Sequence, residues 1–198
     1  RPSLAATSPP GTEPPMATQY ARIEPPLARF IFRQKIFFTA TATADSRINL
    51  HPRSTDALRV LDEARVCYLD LTGSGSETSA HLLADGRMTI MLCAFEGPPM
   101  ILRLYGRARS LFHGTPDYAE RLAASYGGEA PLGARQIVEL TADLVQTSCG
   151  YAVPLFSHEG ERDVLERWAE GKGAEGLVAY RAEKNAVSLD GLPTGMPA

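Results

Sequence analysis

Two stretches of alternating residues constrain this chain more than anything else in it. MILRLYGRARSLF (100–112) sets Leu102, Leu104, Gly106 and Ala108 on one side and Arg103, Tyr105, Arg107 and Arg109 on the other. QIVELTADLV (136–145) alternates likewise, with Val138, Leu140, Ala142 and Leu144 against Glu139, Thr141 and Asp143. A period of two means extended backbone with one face toward a core and the other toward solvent or a ligand. KIFFTATATA (35–44), RINLH (47–51), RVCYLDL (65–71) and RMTIMLCAF (87–95) are short, apolar and bounded by turn residues, so they read as further strands. The last of these, Arg87 to Phe95, is apolar on both faces, as expected of a strand buried on both sides.

Helical spacing falls at only a few places. PPLARFIFRQ (25–34) opens on prolines suited to a helix start and spaces Leu27, Phe30 and Ile31 at i, i+3 and i+4. Further helical patterns lie at 115–127, 161–173 and 175–185. Six or so strands with helices at so few points do not alternate βαβα, which disfavours a parallel doubly wound sheet. The expected class is mainly β with helices (α+β): a small, mostly antiparallel barrel with peripheral helices. Such barrels hold ligands at their rims or, when they dimerise, at the subunit interface.

The chain's 198 residues, 44% of them hydrophobic, suit one core. The expected organisation is one domain over 16–198, with a C-terminal helical segment, behind a disordered tail, RPSLAATSPPGTEPP (1–15), which holds five of the fifteen prolines. A net charge of −3, spread rather than blocked, argues against nucleic acid or an anionic membrane as partner and favours small-molecule chemistry. Cys67, Cys93 and Cys149 are too few and scattered for a disulfide framework or a metal site, so a reducing, cytoplasmic setting is expected and no metal is proposed. No apolar run approaches the ~18 residues needed to span a bilayer.

LDLTGSGSETSAHL (69–82) is the stretch most like a site. Ser74 and Glu77 form an S-x-x-E capping box, which predicts a helix from just after Ser74 through His81 and Leu82 toward Gly86. A helix start preceded by glycines also offers free N–H groups to a phosphate, with hydroxyls from Thr72, Ser76 and Thr78. Capped turn and phosphate cradle are both open readings here. No G-K-[ST] follows the glycines of this stretch and it is not G-x-G-x-x-G either, so ATP and dinucleotide readings lose their main support. INLHPRS (48–54) supplies the best second element, since Arg53 is able to donate two parallel hydrogen bonds to phosphate oxygens.

INLHPRS, LRVLD, YLDLTGSGSETSAHL, GRMTIMLCAFEGPPMILRLYGRAR, LVQTSCGYAVPLF, ERDVLERWAEGKG and EKNAVSLDGLPTG together resemble the pyridoxamine 5'-phosphate oxidase-like group of FMN-binding split-barrel proteins, in an uncharacterised subgroup. The resemblance covers about Arg29 to Gly195 and implies a six-stranded split barrel, dimeric, with FMN in clefts at the subunit interface. It further implies that Asn49 and Leu50 lie along the flavin ring, that His51 and Arg53 approach the phosphate, that Thr72, Gly73, Ser76, Glu77 and Thr78 form the phosphate segment, and that Met88 joins the cofactor contacts. Gln146, Ser148, Cys149 and Tyr151 would approach the cleft from the partner subunit or line a substrate pocket.

Two departures stand out. Glu77 and Thr78 occupy places where the authentic oxidases carry arginine and lysine, and His51-Pro52-Arg53-Ser54 replaces the subgroup's S-P-K-G. A carboxylate beside a dianion weakens binding unless Glu77 turns back to cap its helix. The resemblance implies an FMN-dependent oxidoreductase acting on a small molecule, with redox chemistry carried by the flavin and no catalytic side chain nameable. The alternatives are another flavin, a deazaflavin, a non-catalytic flavin-binding protein, or a dimeric barrel without cofactor. A vitamin-B6-phosphate oxidase proper is opposed by the lack of an Arg and His cluster near the C-terminus. Cys149 lacks a neighbouring base, His81 reads as a structural histidine, and Trp168, with Val164 and Leu165 one turn before it, reads as a docking residue.

Overall fold

The computed structural model describes residues 17–197, so the expected tail lies outside the described residues. In chain order the elements are β1 (Ala17–Tyr20), α1 (Pro25–Arg33), β2 (Ile36–Thr41), β3 (Asn49–Ser54), β4 (Leu58–Val60), β5 (Arg65–Leu71) and α2 (Glu77–Ala84). They continue with β6 (Arg87–Cys93), β7 (Ile101–Phe112), α3 (Pro116–Tyr126), β8 (Ala134–Ser148) and α4 (Val164–Lys184). The strands join one antiparallel sheet in the order β3-β2-β6-β7-β8-β5-β4, with β1 paired to the far end of β8. The sheet curls into the half-barrel of an α+β split barrel. Six of its strands have six or more residues; β1 and β4 are short additions.

The alternation places the core. Val66 and Tyr68 of β5, Ile90 and Leu92 of β6, Leu102 and Leu104 of β7, and Val138 and Leu140 of β8 meet inside the curl. Helix α1 closes it with Leu27, Phe30 and Ile31, each removal from water being favourable by about 1.5–3 kcal/mol. Pro25 and Pro26 stand in its first turn, where their missing N–H groups cost nothing. A smaller cluster, Cys67, Leu111, Tyr118 and Ile137, lies under α3. Thr115 caps α3 by accepting from the Tyr118 N–H, and Gly127 ends it in the left-handed region. The expected helices at 161–173 and 175–185 run together as α4 across a kink at Gly173 (φ 66°, ψ 172°).

The structure corrects the sequence reading in three places. In β6 only the face of Met88, Ile90 and Leu92 is fully buried; Thr89 and Met91 are half-buried. In β8 the alternation changes phase: Gly106 pairs with Ala142 but Tyr105 pairs with Leu144, leaving Asp143 as the extra residue of a β-bulge. Val145, not Leu144, is therefore buried. The first half of β8 is covered on both faces, so Glu139 is buried too, where it accepts from Arg121 Nε at 3.0 Å. No helix of the described residues is long and apolar enough to cross a membrane.

Gly106 makes the bulge possible. A Cβ at that position would stand 2.9 Å from Ala142 Cα and inside the van der Waals envelope of the Thr141 carbonyl oxygen. Gly106→Ala is expected to destabilise the protein by about 1–3 kcal/mol, the cost of forcing two packed strands apart. Urea unfolding of the variant checks this, and an unchanged midpoint would contradict the close approach.

Candidate functional site

Asp70 is the polar centre of the molecule. It lies in phase with Val66 and Tyr68 on β5, so its carboxylate points inward and is buried. Three donors from two other strands meet it: Arg53 Nη1 of β3 on Oδ1, and Arg135 Nε at 2.8 Å and Gln136 Nε2 at 2.7 Å of β8 on Oδ2. Arg135 reaches inward because it is the extra residue of a second bulge, where Asp70 pairs with Gln136 and Leu71 with Ala134. The Arg53 guanidinium also lies 4.7 Å over the Tyr68 ring. Two guanidiniums on one carboxylate leave the buried group with a net charge of +1.

That group holds the glycine turn. Arg135 donates onward through Nη2 to the Gly75 carbonyl at 2.6 Å and through Nη1 to Asn185 Oδ1 at 3.1 Å, while Asn185 Nδ2 donates to the Gly73 carbonyl at 3.0 Å. Thr72 is fixed through its N–H and hydroxyl to the Gly133 carbonyl, at 2.7 and 2.8 Å. With the carbonyls of the turn drawn to one side, the N–H groups of Gly73, Ser74 and Gly75 take no acceptor among the described residues. Open space adjoins Gly73, where a Cβ would meet nothing within 4 Å.

The helix begins later than the capping box predicts. α2 starts at Glu77 with Ser76 as its N-cap position, and Ser74 takes no part, because Arg135 and Asn185 pin the backbone before it outside helical geometry. Glu77 nevertheless turns back: Oε2 accepts from the Ser76 N–H at 3.1 Å and Oε1 from the Leu189 N–H at 3.2 Å. Its charge is thereby spent on backbone donors.

The expected residues divide into two groups. Asn49, Arg53, Thr72, Gly73, Ser76, Glu77 and Thr78 do come together, yet their side chains are largely engaged within the chain. Ser76 Oγ donates to the Val187 carbonyl at 3.0 Å, and Asn49 Nδ2 donates to Thr78 Oγ1 at 3.0 Å and Thr41 Oγ1 at 3.1 Å. Thr41 in turn bonds His81 Nδ1 at 3.0 Å, which makes His81 a buried, hydrogen-bonded histidine. Arg53, read from sequence as a free phosphate ligand, is 12% exposed and bonded to Asp70. Met88 belongs to the core rather than to a ligand surface. Leu50 and His51 are exposed on the edge strand β3, with Pro52 tolerated there because an edge position need not donate.

Gln146, Ser148, Cys149 and Tyr151 are not brought to the turn. Gln136, beside Asp70, and Gln146 are ten residues apart on one strand, about 30 Å of extended chain. Gln146 Oε1 accepts from the Tyr105 hydroxyl at 3.4 Å and Ser148 Oγ from Arg103 Nη1 at 2.9 Å, while Tyr151 stands in solvent. The sequence reading missed Asp70, Arg135, Gln136, Asn185 and Arg181, the last donating to Thr72 Oγ1 at 3.2 Å. Asp70 left a signal, a lone acid in register with the buried face of a strand.

The electrostatics follow from this geometry. Burial alone raises the Asp70 carboxyl, but the charges of Arg53 and Arg135, with hydrogen bonds from Gln136 and Arg135, hold it well below the usual carboxylate range. Desolvation, then the Arg53 charge, lowers His51 from its usual value, so that ring is neutral near pH 7 although the residue is exposed overall. Desolvation and the nearby Arg135 charge lower Arg181, consistent with a positive field behind the turn.

A carboxyl whose folded pKa is depressed contributes stability that is full above its unfolded value, near 4, and is lost as pH falls toward the folded one. Asp70→Asn is expected to cost about 3–5 kcal/mol by leaving two buried guanidiniums on one neutral amide. Its stability should also fall less steeply than the parent's below about pH 4. Denaturant unfolding between pH 2.5 and 7 checks both, and parallel curves would contradict the assignment.

Comparison with known proteins agrees with the resemblance. The family model described as pyridoxamine 5'-phosphate oxidase matches residues 23–149. The "Pyridoxamine 5'-phosphate oxidase family protein ustO" of Aspergillus flavus is 34% identical over 190 residues, covering 88% of this chain and 76% of the relative. Among solved structures, an FAD-binding protein from Mesorhizobium loti is 10% identical with a TM-score of 0.47, covering 67% of this chain and 97% of its own. The heme storage protein HutZ from Vibrio cholerae is 16% identical with a TM-score of 0.45, covering 62% and 93%. Assignment rests on the two sequence matches, which between them span the buried Asp70 group, the glycine turn and most of the sheet: the chain belongs to the pyridoxamine 5'-phosphate oxidase family.

Proposed function

We propose that the protein is an FMN-dependent oxidoreductase of this family, acting as a homodimer on a small molecule. The observation that carries the reading is the glycine turn with three successive uncommitted N–H groups and open space, set in front of a buried group of net charge +1. Those features fit a phosphate, the N–H groups as donors and the arginines as field. The cations missing at Glu77 and Thr78 are offset from behind the turn, and Glu77 is occupied with backbone donors.

In this reading Gly73, Ser74 and Gly75 hold the phosphate, and Arg135 keeps their carbonyls turned away from it. Asn49 ties β3 to α2, so the ring-side strand and the phosphate turn move as one unit. Leu50, 65% exposed, offers an apolar surface to a ring, and neutral His51 adds a hydrogen-bonding group without charge. When bound, the isoalloxazine supplies hydride and electron transfer; the protein supplies binding, orientation and exclusion of water. Leu50 projects from the edge strand β3 and Ile48 stands exposed just before it, which supports a partner subunit covering them and bringing Gln146, Ser148, Cys149 and Tyr151 of its own to the cleft.

A second reading, a dimeric barrel without cofactor, is favoured by one observation: the hydroxyls of Thr72, Ser76 and Thr78 are all engaged inside the chain. The two are separated by adding charge at Gly73, where a side chain has room. Gly73→Asp is expected to weaken FMN at least about tenfold while changing riboflavin, which lacks the phosphate, by less than about twofold. Fluorescence titration measures both. Equal losses for the two flavins would remove the phosphate from the turn, and binding of neither by the parent protein would leave the barrel without cofactor.

A further inference from the structure

A second feature lies at the other end of β3. Pro52–Ser54, the end of α1, the β6–β7 connection and residues 156–162 enclose a cleft of about 1050 Å³. Its apolar wall includes Phe30, Phe95, Met100 and Phe156. Phe95 and Phe156 meet edge to face with centroids 5.4 Å apart, yet Phe156 remains 60% exposed. An aromatic held over a cleft with its remaining surface in water is a surface for a flat apolar ligand.

The charge around the cleft opposes that of the chain. Arg33, Lys35, Arg53 and Arg162 face Glu96 and Glu161, a balance of +2 in a protein of net charge −3. Arg53 is paired with Asp70, and Glu161 lies 3.1 Å from His158 Nε2. Arg33, Lys35 and Arg162 have no carboxylate within 4.0 Å among the described residues. With Arg53 counted against Asp70, three cations outside any ion pair face the two carboxylates of Glu96 and Glu161, and this positive balance beside an aromatic wall favours a ligand with an apolar body and one anionic group.

We propose that this cleft binds a small aromatic carboxylate, with the ring against Phe95 and Phe156 and the carboxylate among Arg33, Lys35 and Arg162. The site stands on the cleft alone and does not depend on whether the turn holds a phosphate. The test is calorimetric titration of the purified full chain at pH 7 with cinnamate and with its neutral analogue cinnamamide, the visible spectrum of the same sample recording flavin content. Cinnamate is expected to saturate at one per chain, at least about tenfold tighter than cinnamamide. Arg33, Lys35 and Arg162 are exposed, so their joint replacement by Glu should leave the melting temperature unchanged while abolishing that preference. No saturable binding, equal affinity for acid and amide, or a preference that survives the triple variant would overturn the proposal. Displacement of cinnamate by FMN would also overturn it, by giving the cleft to the flavin. Cinnamate binding in a protein that takes no flavin would leave this site standing and remove only the flavin reading.

Discussion

The contact of Asp70 with Arg53 and Arg135 is the interaction on which the rest of the structure depends. It joins three strands that are far apart in sequence, and through Gln136 it reaches Ser79 of α2 at 3.0 Å. Through Arg135 and Asn185 it sets the glycine turn and anchors the C-terminal segment, whose Thr194 hydroxyl returns to the Asn185 carbonyl at 2.7 Å. A carboxylate this deep is tolerable because two guanidiniums and an amide converge on its two oxygens. The excess of one guanidinium gives the barrel a fixed positive charge behind an outward-facing turn.

Much of the fold was legible in the sequence because a period of two survives any tertiary context that keeps one face buried. Strands β5, β6 and β7, helix α1 and both halves of α4 follow from spacing and turn residues alone. The bulges were not legible: each is a single extra residue, Asp143 or Arg135, that leaves no trace in composition, although a glycine inside a strand, Gly106, marks one of them. The capping box misled for a related reason. Ser74 has the right spacing to Glu77, but Arg135, more than fifty residues away, fixes the carbonyl of Gly75 and delays the helix.

The candidate site was legible as a place rather than as a set of contacts. Segments 48–54 and 72–78 do meet, as the resemblance implies, and Asn49 bridges them to Thr78. Their roles shift once the contacts are known. Arg53 serves the interior, the hydroxyls serve the backbone, and backbone N–H groups are left as the outward donors. Long-range pairs such as Arg53 with Asp70 cannot be read from one sequence, because the pattern puts Asp70 on a buried face without saying which distant cation meets it. Gln146 and Ser148 lie at the far end of β8 and Cys149 and Tyr151 follow it, so within one chain they stand apart from the glycine turn.

The central claim is that this family member carries a flavin whose phosphate rests on the glycine turn. The measurement that tests it most directly is the visible absorption spectrum of the purified protein, with chromatography of the chromophore released by heat. The account predicts flavin absorption and FMN released at about one per chain, since each chain has one such turn. A colourless protein that stays colourless after incubation with excess FMN and gel filtration would contradict it.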